Sequence, residues 1–289
     1  MMKAETCLNL CEIAEFKCID LVIAAVKEKI AFTRVYIGSC FCDELFLKTN
    51  YSQLLAFLKD TTDVSKITLV VPVFCQKNLE KGKALLNAML HQYRDMIDEV
   101  TLNDYGMLFS DSIRNDSSNH IKINMGRLFF KDYREPRYEE YFQTEWRPKF
   151  FTNSLKELIR EQNIHEIEID VTHKSINLSE HPDCTLGIHT PYTYMTTGKI
   201  CEYASEFQKV QKKFRPNIDC GRECLRAVIE YGMEDNRKWY RLGRTVYFEN
   251  NCIRLSHSHE NHETDEKTKI RMIYFPLNEL VKEMAFSES

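Results

Sequence analysis

KITLVVPVF, residues 66–74, is the stretch on which the fold turns. After Lys66 it is almost wholly apolar, broken only by Thr68 and Pro72. A strand with one wet face would alternate polar and apolar residues. This run does not, so it suits a strand buried on both faces, as in a parallel sheet covered by helices. Upstream, RVYIGSCFC (34–42) is β-branched and aromatic and predicts a strand from Arg34 to about Phe41. SQLLAFLKD predicts a helix between the two. Residues 10–30 carry Leu10, Ile13, Phe16, Leu21, Ala24 and Ala25 at helical spacing, which predicts an opening helix.

Downstream the alternation continues. LEKGKALLNAMLHQYRDMI predicts a helix, EVTLND (99–104) a strand and YGMLFSDS a short helix. HIKINMG (120–126) predicts a strand, and SLKELIREQN a helix capped by Asn153 or Ser154. HEIEIDV (165–171) and TLGIHTP (185–191) predict two more strands. WYRLGRTVYFEN and CIRLSHS suggest a hairpin turning at Asn250-Asn251, and KIRMIYFP leads into a last helix, LNELVKEMAF.

Strand and helix in this rhythm imply right-handed parallel crossovers. With no G-x-G-x-x-G after any strand, a TIM-like (β/α) barrel in the α/β class fits better than an open nucleotide-binding sheet. The expected layout is one domain over 1–289: an N-terminal helix (1–33), a barrel core carrying the site (34–235) and a hairpin-and-helix extension (236–289). The barrel is expected to be irregular, because few helices fit between residues 165 and 190.

Composition narrows the function. The 289 residues are 43% hydrophobic and 28% charged, with a net charge of −4. That balance argues against broad nucleic-acid binding. The local run KVQKKFR (209–215) suits either a phosphate or RNA segment or a solvated helix face. Glu5, Glu12, Glu15 and Asp20 interrupt any signal-peptide core, and no run of eighteen apolar residues predicts a membrane span. A cytoplasmic chain is expected. Its eleven cysteines would stay reduced there, and clustered ones would point to metal or catalysis.

Cys201, Cys220 and Cys224 form such a cluster, C-x18-C-x3-C. A fourth thiol must come from elsewhere. Cys40 and Cys42 end the first predicted strand, on the barrel face where sites assemble, and share a side if the strand runs through them. Four thiolates select zinc or an iron–sulfur cluster. One close pair with two distant ligands is more usual for a cluster, and Arg215 and Arg222 could offset its negative charge. Incidental core thiols are the plain alternative.

VYIGSCFC (35–42) resembles the first-strand motif of the collagenase-like peptidase family, in the UbiU/UbiV-like branch of oxygen-independent ubiquinone hydroxylation proteins. EVTLNDYGML (99–108), MGRLFFKDYREPR (125–137), GIHTPYTYMTTGKIC (187–201) and RPNIDCGREC (215–224) are similar to further family segments, in the family's order. The resemblance spans roughly residues 34–230. It departs where the chain is expected to open with a helix rather than a strand, in the charged 201–220 loop, and after residue 235.

The resemblance implies a 4Fe–4S cluster on Cys42, Cys201, Cys220 and Cys224, with Cys42 standing four positions after Gly38. Cys184 and Cys40 are the other candidates for the fourth ligand. It further implies an oxygen-independent hydroxylation, or a related redox step, on a small aromatic compound or an RNA base, and a heterodimer with a related barrel. The rival readings are a peptidase on collagen-like or unfolded peptides, and a metal-stabilised scaffold without activity. No G-x-S-x-G, H-E-x-x-H or P-loop supports protease or phosphate chemistry.

His189, Asn103 and Asp104 are the candidate catalytic residues, His189 as a proton carrier and the other two, with Asn124, as polar groups on the barrel rim. A structural histidine and a helix cap are the plain alternatives. Arg127, Arg134 and Arg137 could hold a carboxylate or phosphate. His257, His259 and His262 with Glu260 lie in a polar loop that reads as solvated rather than metal-binding.

Overall fold

The computed structural model describes residues 4–64, 66–110, 113, 121–130, 152–171, 176–177, 182–216, 218, 220–231, 238–250, 255–256 and 269–287. Its centre is a closed barrel of eight parallel strands. These are β1 (Glu5–Asn9), β2 (Arg34–Gly38), β3 (Lys66–Val71), β4 (Ile97–Leu102), β5 (Lys122–Met125), β6 (Ile164–Asp170), β8 (Thr185–Thr190) and β14 (Ile270–Tyr274). They pair in the order β1-β14-β8-β6-β5-β4-β3-β2, so β1 and β14 close the ring. The described crossover helices are α1 (Ile19–Lys27), α2 (Asp43–Lys48), α3 (Tyr51–Thr61), α4 (Leu79–Gln92), α5 (Tyr105–Leu108) and α6 (Asn153–Glu161). Among the described residues none lies between β6 and β8, where irregularity was expected.

β3 is the strand inside KITLVVPVF, and its residues after Lys66 are buried. β2 is buried throughout. The strands' outward apolar side chains join those of α1, α3 and α4 in the principal core. The barrel interior is polar instead. Arg34, Glu99, Glu166, Glu168, Asp170 and Arg271 are each at most 3% exposed. Arg271 Nη1 donates to Glu99 Oε2 at 2.7 Å and also pairs with Glu166. Arg34 pairs with Asp98 at 2.6 Å and Glu99 at 3.2 Å. Buried charges persist only when paired in this way.

Between β8 and β14 the chain leaves the barrel. β9 (Tyr192–Thr197), β10 (Ile229–Tyr231), β11 (Trp239–Leu242) and β12 (Thr245–Glu249) form an antiparallel sheet in the order β10-β11-β12-β9. The short strands β7 (Ile176–Asn177) and β13 (Leu255–Ser256) pair with each other. α7 (Glu202–Glu206) lies between β9 and β10, and α8 (Leu277–Ser287) follows β14 and packs on α1.

Several expectations need correction. The chain opens with strand β1, and the helix expected over 10–30 is confined to α1; the buried Leu10, Ile13 and Phe16 sit on turns, and Glu12 has φ +67°. The barrel core therefore extends beyond 34–235 at both ends, because β14 is a barrel strand and not an extension. β2 stops at Gly38, short of Phe41. There φ is +108°, and a Cβ would stand 2.2 Å from the Val70 carbonyl oxygen, so only glycine fits. α6 is capped by Thr152, not Asn153 or Ser154. The hairpin lies within WYRLGRTVYFEN and turns at Gly243, whose φ is +56°, rather than at Asn250-Asn251.

Candidate metal centre

Cys42, Cys201, Cys220 and Cys224 line one pocket. It lies by the barrel mouth formed by the strands' C-terminal ends, since Cys42 follows β2. Ending β2 at Gly38 frees the next residues for a tight loop. Cys42 then caps α2: its Sγ accepts from the Leu45 amide at 3.4 Å, and its own amide donates to Ser39 Oγ at 2.7 Å. Cys201 stands before α7, which Tyr203 ties to β11 through a 2.9 Å bond from its hydroxyl to the Arg241 carbonyl. Cys220 is fastened to α2 by its carbonyl, which accepts from Lys48 Nζ at 2.6 Å. Cys224 sits in one 3-10 turn (Glu223–Leu225) entered through left-handed Arg222, beside Gly243 of the hairpin turn.

Burial pushes all four thiols above their ordinary range. For Cys224 the neighbouring charges of Cys42, Cys201 and Cys220 push the same way, so the four sites sense one another. Arg244 opposes this for Cys42 and Cys201, and its Nη2 is held by Asp43 Oδ1 at 2.5 Å. Arg222 also lines the pocket, paired with Glu15, whereas Arg215 is exposed and not among the lining residues.

The four thiols suit soft metals, and the carboxylate residues Glu12, Glu44 and Glu223 line the same pocket. Two thiolates on one tetrahedral zinc stand about 3.8 Å apart, given a Zn–S bond of ~2.3 Å. Among the described residues, the one trio of metal-binding atoms mutually within 4.8 Å belongs to Cys11, Glu12 and Cys40. The four pocket sulfurs form no such trio.

Cys40 is thus separated from Cys42: it is 1% exposed, beside Cys11 and Glu12. Cys184 precedes β8 and stands at the opposite end of the barrel from Cys42. His189 is not on the rim. It is 1% exposed inside the barrel, with Nε2 2.9 Å from Glu168 Oε2. Asn103 is buried and structural, donating to the Val71 carbonyl at 3.2 Å and accepting from the Leu128 amide at 3.2 Å. Asp104 caps α5, with Oδ1 accepting from the Gly106 amide at 2.7 Å. None of these three lines the cysteine pocket. Asn124 is wholly buried and donates to Glu99. Arg127 is buried against Asp170 and stacks over Phe41 and Tyr194, so no ligand is needed to explain it. Arg134, Arg137, Cys252 and the 257–262 histidine loop lie outside the described residues.

Sequence reading missed Glu12 and Arg244, both of which line the pocket. Neither belongs to a motif; the one available signal was that Arg244 follows the turn glycine Gly243. No helix among the described residues is long and apolar enough to cross a membrane. No family model, curated protein or solved structure matches this chain.

Proposed function

We propose that this barrel is an iron–sulfur protein whose 4Fe–4S cluster would be held by Cys42, Cys201, Cys220 and Cys224. The supporting observation is that four thiols from three separate stretches of chain line one pocket at the barrel mouth. A bound cluster supplies one-electron transfer at a potential set by burial and by hydrogen bonds to its sulfurs. The chain's own contribution is to fix the ligands through α2, α7 and the β11–β12 turn. It also offsets thiolate charge with Arg244 and holds Arg222 and Lys199 at the pocket wall. By resemblance, the reaction is an oxygen-independent hydroxylation or a related redox step on a small aromatic compound or an RNA base, in the cytoplasm, with a related barrel as partner.

Protein purified without oxygen is expected to be brown, with about four irons and four sulfides per chain. Colourless protein lacking iron, or iron unaffected by Cys220→Ser, refutes the assignment. A co-expressed related barrel is expected to co-elute with this chain; elution as separate monomers removes the partner. A scaffold role has one observation in its favour. Among its described residues, the segment between Cys201 and Cys224 has only short helices and exposes Phe207, Val210 and Phe214. Zinc in place of iron, with no redox signal, would support that reading. The peptidase reading lacks such support, because no serine or histidine is among the described pocket-lining residues.

A further inference from the structure

We infer that Cys11, Glu12 and Cys40 form a second metal site, separate from the four-cysteine pocket, that takes a single zinc-like divalent cation. Their ligand atoms lie within 4.8 Å of one another. Cys11 is 0%, Cys40 1% and Glu12 7% exposed. The three come from two loops that leave the C-terminal ends of adjacent barrel strands, β1 and β2.

Both loops are fixed before any metal arrives. Asn9 Oδ1 accepts from the Cys11 amide at 2.9 Å, and the Leu10 amide donates to the Tyr36 carbonyl at 2.9 Å. Glu12 is held in the left-handed region, at φ +67°. That conformation costs a non-glycine residue of order 1 kcal/mol and marks sites where the surroundings dictate the backbone. Its effect here is to turn the carboxylate towards the second loop. Oε1 accepts from Ser39 Oγ at 2.6 Å and from the amides of Cys40 at 2.6 Å and Phe41 at 3.2 Å. Those three bonds all fall on one oxygen. Metal-binding carboxylates are commonly oriented by such outer hydrogen bonds, which raise ligand precision without occupying the second oxygen.

Two thiolates and a carboxylate suit zinc, and three protein ligands leave a tetrahedral ion one open position. Glu12 also lines the cysteine pocket, so the trio adjoins that pocket. Without a metal all three groups are shifted towards their neutral forms, by burial above all at Cys11 and Glu12, and the positive field of Arg127 acts against that shift at Glu12 and Cys40. The sulfurs need to close by less than about an ångström to reach the ~3.8 Å spacing of zinc-bound thiolates.

The site shares the Glu12 wall with the four-cysteine pocket but none of its sulfurs, and the test keeps the two apart. Full-length protein purified without oxygen is equilibrated with Zn2+, washed, and analysed for zinc, iron and sulfide. About one zinc per chain is expected at this site. Cys11→Ser and Cys40→Ser should each lose that zinc and keep their iron. Cys220→Ser should lose iron and keep the zinc. Glu12→Gln should weaken zinc binding about tenfold or more while leaving circular dichroism unchanged. The inference is overturned if wild-type protein takes up no such zinc, or if the zinc survives both cysteine substitutions. Should those two variants misfold, undiminished zinc affinity in folded Glu12→Gln overturns it equally.

Discussion

Gly38 is where a single residue decides whether the site can form. Its φ is +108°, and the Val70 oxygen stands 2.2 Å from the place a Cβ would take, which leaves no room for a side chain. Gly38→Ala is expected to destabilise the protein by about 2 kcal/mol or more in urea unfolding, from backbone strain plus the clash. An unchanged midpoint would show that β2 can end another way. The interior glutamates make opposite pH predictions. Burial raises the Glu99 carboxyl, but the hydrogen bond and charge of Arg271 and the charge of Arg34 outweigh it, and the result is about 2. Its stabilising contribution is therefore present above the ordinary value of 4.5 and lost as pH falls from there towards 2, a difference of roughly 3 kcal/mol relative to Glu99→Gln. Burial dominates at Glu168 and pushes it up to about 7. There the native state holds the proton more tightly, so stability should decline, relative to Glu168→Gln, as pH rises from 4.5 to 7. Stability measured from pH 2 to 8 on the three proteins checks both signs. The inward direction of these acids was not legible from sequence. HEIEIDV alternates, and alternation ordinarily puts the polar residues in water. Here the interior is the polar side, because Arg34 of β2, Arg271 of β14 and Arg127 just after β5 neutralise it, and one strand's sequence cannot show its partners.

At the scale of elements, the reading succeeded where a run was long and apolar, as in β3, and failed at boundaries set by a single backbone angle or cap. Cys42 illustrates both. Its place after the first predicted strand was legible; that it would cap a helix and part company with Cys40 was not, since both followed from where β2 stopped. Because serine also caps helices, Cys42→Ser is expected to keep its thermal midpoint within a few degrees while iron is lost. A large fall in midpoint of the iron-free protein would mean that the thiol serves packing more than ligation. Thr152, whose hydroxyl accepts from the Leu155 amide, supplies the comparison. Thr152→Ala should cost about 1 kcal/mol in stability with iron content unchanged. The convergence of Cys201, Cys220 and Cys224 was suggested by spacing, whereas the β11–β12 hairpin that packs behind Cys224 was misplaced because the true turn lay inside what looked like one strand.

Across the whole molecule, the barrel class was legible from the rhythm of the chain, but its closure was not. β1 is short and carries Asn9 and Glu5, and β14 contains Arg271, so neither resembles the apolar run of β3. They are recognisable as strands only when paired with each other and their neighbours. Removing residues 269–289 should open the ring between β1 and β8, exposing two strand edges. The shortened chain is expected to lose its cooperative urea transition and to aggregate, and retention of a sharp two-state transition would show that seven strands suffice.

The pairing of Arg271 with Glu99 joins residues 172 positions apart. During translation the two acids of this cage, Glu99 and Glu166, leave the ribosome long before their shared cation does. Until Arg271 emerges, Glu99 has Arg34 as its buried cation, and the strand that carries Arg271 is not yet there to join β1 to β8. One late segment therefore delivers both the missing stave and the counter-charge of the cage.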